Sequence, residues 1–88
     1  MIQGKTKSGF NFEIDEKIAD DMEFLDLLVK TEENPIYIGR VLETLLGKEQ
    51  KAALYDHIRD KETGRVSIEK ASDTLIEMLN NAGEEIKN

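Results

Sequence analysis

The chain has 88 residues, a net charge of −7 and no cysteine. The length predicts one domain covering residues 1–88, and the absence of cysteine excludes disulfides and Cys-ligated zinc. The acidic balance disfavours binding to nucleic acids and anionic membranes, and the sequence has no apolar run long enough for a transmembrane helix. Since the first ten residues also lack the apolar region of a signal peptide, we expect a cytoplasmic protein.

Residues 2–14 have a two-residue period, which predicts two short strands. The residues on one face are Ile2, Gly4, Thr6, Phe10, Phe12 and Ile14. A two-residue turn at Ser8-Gly9 would mix apolar and charged residues on one face of this hairpin. A three-residue loop, 7–9, instead pairs Ile2 with Ile14 and keeps one face apolar. We therefore predict a hairpin with the longer loop, whose apolar face packs against helices.

The next segment changes to helical spacing and predicts a helix over about residues 16–30, capped by Asp15 or Asp20. Its acidic first turn suits the positive end of a helix dipole. The expected buried stripe consists of Ile18, Met22, Leu25, Leu28 and Val29, with Phe24 and Leu27 lying beside it.

Asn34-Pro35 is the clearest helix start, because Asn is a good N-cap and Pro fits the first helical position. We predict one helix over about 35–46 and a second over about 48–60, hinged at Gly47. Their expected core residues are Val41, Leu42, Leu45 and Leu54.

Ser67 is the expected cap of a last helix over about 67–82, which Gly83 would end. Its apolar residues follow spacings of three and four throughout. The predicted fold is therefore mainly α (α+β), with an N-terminal β-hairpin followed by a compact arrangement of four helices.

Candidate chemical sites give no enzyme signature. The loop within 56–70 resembles a calcium-binding loop in length, but Arg59, Lys61 and Lys70 stand where calcium needs oxygen ligands. The acidic cluster in 15–26 lies on one wet helix face, and the lone His57 lacks partners for catalysis or metal binding. We expect no enzymatic activity, no catalytic or metal site and no cofactor.

A surplus of apolar side chains remains after these helices are assigned a buried face. The residues concerned are Phe24, Leu27, Tyr37, Leu46 and Ile76. They either complete a compact core or stay exposed as a patch for a partner helix or a self-dimer. If exposed, they are the candidate partner-binding residues.

Four stretches resemble small prophage-encoded proteins from the tail gene clusters of siphophages that infect Gram-positive bacteria. They are KTKSGFNFEID at 5–15, DDMEFL at 20–25, LLGKEQ at 45–50 and GRVS at 64–67. The similarity covers nearly the whole chain in length and order. Met22 stands where the family often has Trp after the Asp-Asp pair.

Members of this family are regarded as tail assembly chaperones. The resemblance implies a non-enzymatic protein of the bacterial host cytoplasm, which keeps the tape-measure protein soluble and helps tail-tube subunits assemble around it. The alternatives are a generic interaction module or small regulator, in a monomeric or a homodimeric version, and a domain that binds a small molecule or metal.

Overall fold

The computed structural model describes the backbone of residues 1–87 and the side chains of residues 1–83. It is mainly helical with an N-terminal hairpin, as predicted. The strands are β1 (Ile2–Lys5) and β2 (Asn11–Ile14), and the helices are α1 (Glu16–Ala19), α2 (Met22–Glu33), α3 (Ile38–Ile58) and α4 (Ile68–Lys87), with a 3-10 turn at Pro35–Tyr37 before α3.

The hairpin has the predicted register, with Ile2 opposite Ile14 and Gly4 opposite Phe12. Side chains alternate across a strand, so this pairing places the apolar residues on one face, and Ile2, Phe12 and Ile14 are all buried. The Phe12 ring lies directly over Gly4: a Cβ at Gly4 would be 2.5 Å from Phe12 Cζ. Gly4 therefore leaves the space that the ring occupies.

The hairpin loop also has the predicted three residues. Thr6 N donates to Phe10 O at 2.9 Å, and Gly9 N donates to Thr6 O at 2.9 Å. Gly9 has φ 98°, a value that glycine adopts without strain. The buried Thr6 hydroxyl accepts a further hydrogen bond from Phe10 N at 3.0 Å.

The side chain of Gln50 in α3 covers the outer edge of β2. Its Oε1 accepts from Glu13 N at 2.8 Å, and its Nε2 donates to Glu13 O at 2.9 Å. The same Nε2 also donates to Leu46 O at 2.8 Å. This amide therefore pairs with both backbone groups of Glu13 and attaches the hairpin to α3.

The single helix predicted over 16–30 is wrong, because the chain forms two helices with separate caps. Asp15 accepts from Lys17 N at 2.9 Å to start α1, and Asp21 accepts from Glu23 N at 2.8 Å to start α2. Each aspartate satisfies an amide that the first helical turn leaves unpaired. Helix α2 then continues to Glu33, three residues beyond the predicted end.

The start and the hinge of the next segment are as predicted. Asn34 Oδ1 accepts from Ile36 N at 3.1 Å, and Pro35 opens the 3-10 turn that leads into α3. Gly47, at φ 83° and ψ 165°, is non-helical and divides α3 into two helical halves. The second half ends at Ile58, slightly before the predicted residue 60.

Helix α4 begins as predicted but continues past its predicted end. Ser67 Oγ accepts from Lys70 N at 3.2 Å. Gly83 does not terminate the helix, which extends to Lys87. Gly83 is also absent from the glycines with positive φ, so it has not adopted the left-handed conformation that commonly ends helices.

The core lies where the hairpin's apolar face meets α3 and α4. Its most deeply buried large side chains are Ile14, Val41, Leu42, Leu54 and Met78. The predicted core residues of α3 are confirmed as buried. Helices α2 and α4 both pack against α3, and they pack less closely against each other.

None of the helices in the described part of the chain is long and apolar enough to cross a membrane.

Candidate functional site

The five candidate partner-binding residues have different environments. Phe24 and Leu46 belong to the core, with 5% and 6% of their surfaces exposed, so for these two residues the compact-core alternative holds and they are not available as partner-binding residues. Leu27 and Tyr37 are half-buried. Ile76 is 57% exposed and is the only one of the five to present most of its surface to solvent.

The exposed apolar face of α2 consists of residues that the sequence pattern assigned to the core. Met22, Leu25 and Val29 are about half or more exposed, whereas Phe24 packs inward with Leu27 and Leu28 at its side. Both sets have helical spacing, so periodicity alone does not choose between them. Burying the aromatic ring removes more apolar surface from water than burying a smaller side chain. This difference favours the observed orientation.

Leu46 is buried because of its position on the first half of α3. It lies four residues after Leu42 and eight after Ile38, and residues at this spacing share one helical face. All three are in the core. Leu27 instead borders a polar cleft between α2 and α3 that is also lined by Asp26, Lys30 and Arg40.

An apolar groove separates the N-terminal half of α2 from the C-terminal half of α4. It has a volume of about 330 Å³. Its walls come from one end of each helix and from the turn that precedes α2. The lining residues are Ala19, Asp20, Asp21, Met22, Phe24, Leu25, Leu28, Leu79, Ala82 and Gly83. Because α2 and α4 pack loosely against each other, the chain's own side chains leave this groove open.

Exposed apolar side chains extend the groove along both helices. Ile76 precedes Leu79 by three residues, and Val29 follows Leu25 by four, so each lies about one turn further along its helix. Ile76 and Val29 are both exposed. Val29 is therefore next to Leu25, and Ile76 is next to Leu79. We use the name α2–α4 groove for the lining residues above together with these two neighbours.

A second apolar surface lies beside the opposite end of α4. This shallow depression of about 270 Å³ is lined in part by Pro35, Ile36, Val66 and Ile68. Ile36 is 77% exposed. We call it the Ile36–Ile68 patch; the sequence pattern did not predict an exposed apolar surface here.

The polar side chains around His57 fasten the hairpin loop to the helices. Ser8 Oγ lies 3.0 Å from His57 Nε2, and Lys7 N donates to Glu77 Oε2 at 2.6 Å. The Phe10 and His57 ring centroids are 5.7 Å apart. These contacts link the loop to both α3 and α4, and they give His57 a structural role.

The loop between α3 and α4 is organised by its own residues. Asp60 accepts hydrogen bonds from Glu62 N at 2.8 Å and Thr63 N at 3.2 Å, and these bonds lower the pKa of the Asp60 carboxyl. Arg59 Nη1 donates to Gly64 O at 2.8 Å. In the described residues, no group of three or more His, Cys, Asp or Glu is arranged to hold a metal ion.

Comparison of the chain with protein-family models, with curated proteins and with solved structures gave no match.

Proposed function

We propose that the protein is a non-enzymatic phage tail assembly chaperone that binds helical segments of the tape-measure protein, or tail-tube subunits, through exposed apolar surface. The observation that carries the proposal is the open α2–α4 groove. The resemblance of the four sequence stretches to tail assembly proteins supplies the class of partner.

The groove has the shape and chemistry that a helical client requires. Its walls are apolar side chains on two helices, and an amphipathic helix buries its own apolar stripe in such a surface. A tape-measure protein is a long helical chain with many such stripes, which aggregate when they are left uncovered. The chaperone's acidic surface keeps the complex in solution by charge repulsion between copies.

Co-expression with a tape-measure protein encoded in the same gene cluster tests the proposal. We expect the soluble fraction of that partner to rise several-fold, and the two proteins to purify together. The matched control replaces this chain with an unrelated acidic domain of similar size, expressed at the same level. An equal soluble fraction in both cultures would contradict the proposal.

The Ile36–Ile68 patch supports a second candidate, a protein-interaction module or small regulator that forms a homodimer. Exposed apolar surface of this kind occurs at subunit interfaces. Light scattering over a hundredfold concentration range tests this alternative. A dimer that Ile36→Gln converts to a monomer would support it, and a monomer at every concentration would exclude it.

A further inference from the structure

We infer that the α2–α4 groove receives a single client helix whose apolar stripe is flanked by lysine and arginine. This inference rests on the proposed function, and it adds the position of the binding site and the chemical character of the client.

The length of the groove sets the length of the apolar stripe. The lining residues extend from Met22 to Leu28 on α2 and from Leu79 to Gly83 on α4, and with the adjoining exposed Val29 and Ile76 each wall spans eight residues. Seven residue steps of helix correspond to about 10 Å, or two helical turns. A client helix would therefore contact the groove through apolar residues at positions i, i+3 or i+4, and i+7.

The charge of the chain is concentrated on the two helical segments that form the groove. Residues 15–33, which contain α1 and α2, have eight acidic and two basic residues, a net charge of −6. Helix α4 has five acidic and two basic residues, a net charge of −3. The hairpin and the rest of the chain together carry +2, which gives the total of −7. The acidic character thus belongs to the helices beside the groove.

Acidic residues also border the groove directly. Asp20 and Asp21 line its end at the start of α2. A client helix with lysine or arginine beside its apolar stripe would bring opposite charges to these carboxylates, which favours encounter and selects against acidic helices.

The same charge distribution disfavours a second copy of this chain as the occupant. Docking the start of α2 of one molecule into the groove of another would bring its Asp20 and Asp21 close to the same two carboxylates of the second copy. Like charges placed across an interface oppose association. The groove therefore fits a basic client better than a homodimer.

Binding of two designed helical peptides tests the inference. Both carry the same two-turn apolar stripe, flanked by Lys and Arg in one peptide and by Glu in the other. By fluorescence anisotropy, we expect the basic peptide to bind at least tenfold more tightly. Its affinity should fall as salt rises, since salt screens exposed charges. Equal binding of both peptides, or no binding of the basic one, would overturn the inference.

Variants then locate the binding site. Leu25→Gln with Ile76→Gln removes apolar surface from both walls while keeping good helix-forming residues. We expect this double variant to bind the basic peptide at least tenfold more weakly than wild type does. Ile36→Gln removes a still more exposed apolar side chain outside the groove and should leave binding unchanged. Circular dichroism checks that each variant is folded. The reverse pattern would place the site at the Ile36–Ile68 patch and refute the inference.

The same variants separate this inference from the proposed function. If the double variant still solubilises the tail protein as well as wild type does, the groove is not the site, although the chaperone function stands. If wild type fails to solubilise that protein but binds the basic peptide through the groove, the tail function fails and the groove inference stands.

Discussion

Adjacent alanine substitutions in α2 test which face of this helix holds the fold. Phe24 is 5% exposed and Leu25 is 50% exposed. Truncating a buried phenylalanine to alanine costs about 3–5 kcal/mol, which includes the cavity left behind. Leu25 is half in solvent and leaves no closed cavity, so we expect Leu25→Ala to cost about 1 kcal/mol or less. Both changes introduce the same residue into the same helix, so the backbone contribution is closely matched.

Urea unfolding followed by circular dichroism measures the difference. With a denaturant slope of about 1–1.5 kcal/mol/M for a domain of this size, Phe24→Ala should lower the midpoint by about 2–5 M. Leu25→Ala should lower it by less than about 1 M. If Phe24→Ala is already unfolded without urea, its cost exceeds the whole stability of the wild type. Equal losses, or a larger loss for Leu25→Ala, would refute the assigned orientation of α2.

Three further predictions concern glycine positions and Asp60 in the loop between α3 and α4. Gly4→Ala should cost about 1–3 kcal/mol in urea unfolding, because its Cβ would lie 2.5 Å from the buried Phe12 ring; Phe12→Leu in the same chain should recover part of that loss. Gly47→Ala should destabilise the fold by about 1–3 kcal/mol through backbone strain alone, because Gly47 has φ 83° and ψ 165°. Gly83→Ala, within α4, should instead stabilise the fold by about 0.5–1 kcal/mol. Similar effects at both sites would contradict this reasoning. The lowered pKa of Asp60 means that its contribution is present above its unfolded-state pKa and is lost as pH falls through the folded value. Asp60→Asn should therefore reduce the loss of stability on acidification below about pH 4, and an unchanged pH profile would argue against the two hydrogen bonds.

The hairpin could be predicted in detail because several constraints agree. A strand has a side-chain period of two, so a shift of one residue would move every apolar side chain to the opposite face. Only a three-residue loop pairs Ile2 with Ile14 and keeps one face apolar, and this loop places Gly9 where a positive φ is needed. The structure has this register.

The orientation of α2 could not be predicted in the same way. Apolar residues cover so much of its circumference that two helical stripes are equally regular, one through Leu25 and one through Phe24. The choice depends on how each stripe fits against α3, which is a property of tertiary packing. In the structure the stripe through Phe24 is buried and the one through Leu25 is exposed. Of the five candidate partner-binding residues, only Ile76 is therefore an exposed apolar residue at the groove.

Glycine gives a similar contrast within this chain. The sequence predicted a helix end at both Gly47 and Gly83, yet only Gly47 has a positive φ. Glycine permits a left-handed conformation without requiring it. Whether the conformation is used depends on where the following residues pack, and local sequence does not contain that information.

The pairing of Gln50 with β2 has a consequence for how partners can bind. In a two-stranded hairpin, the outer edge of each strand is free to recruit a further strand from another molecule. Here the N–H and C=O of Glu13 are already bonded to the Gln50 amide. Loss of this amide would expose a template for β-augmentation, and with it a route to edge-to-edge aggregation. An intact Gln50 directs recognition away from strand addition at β2.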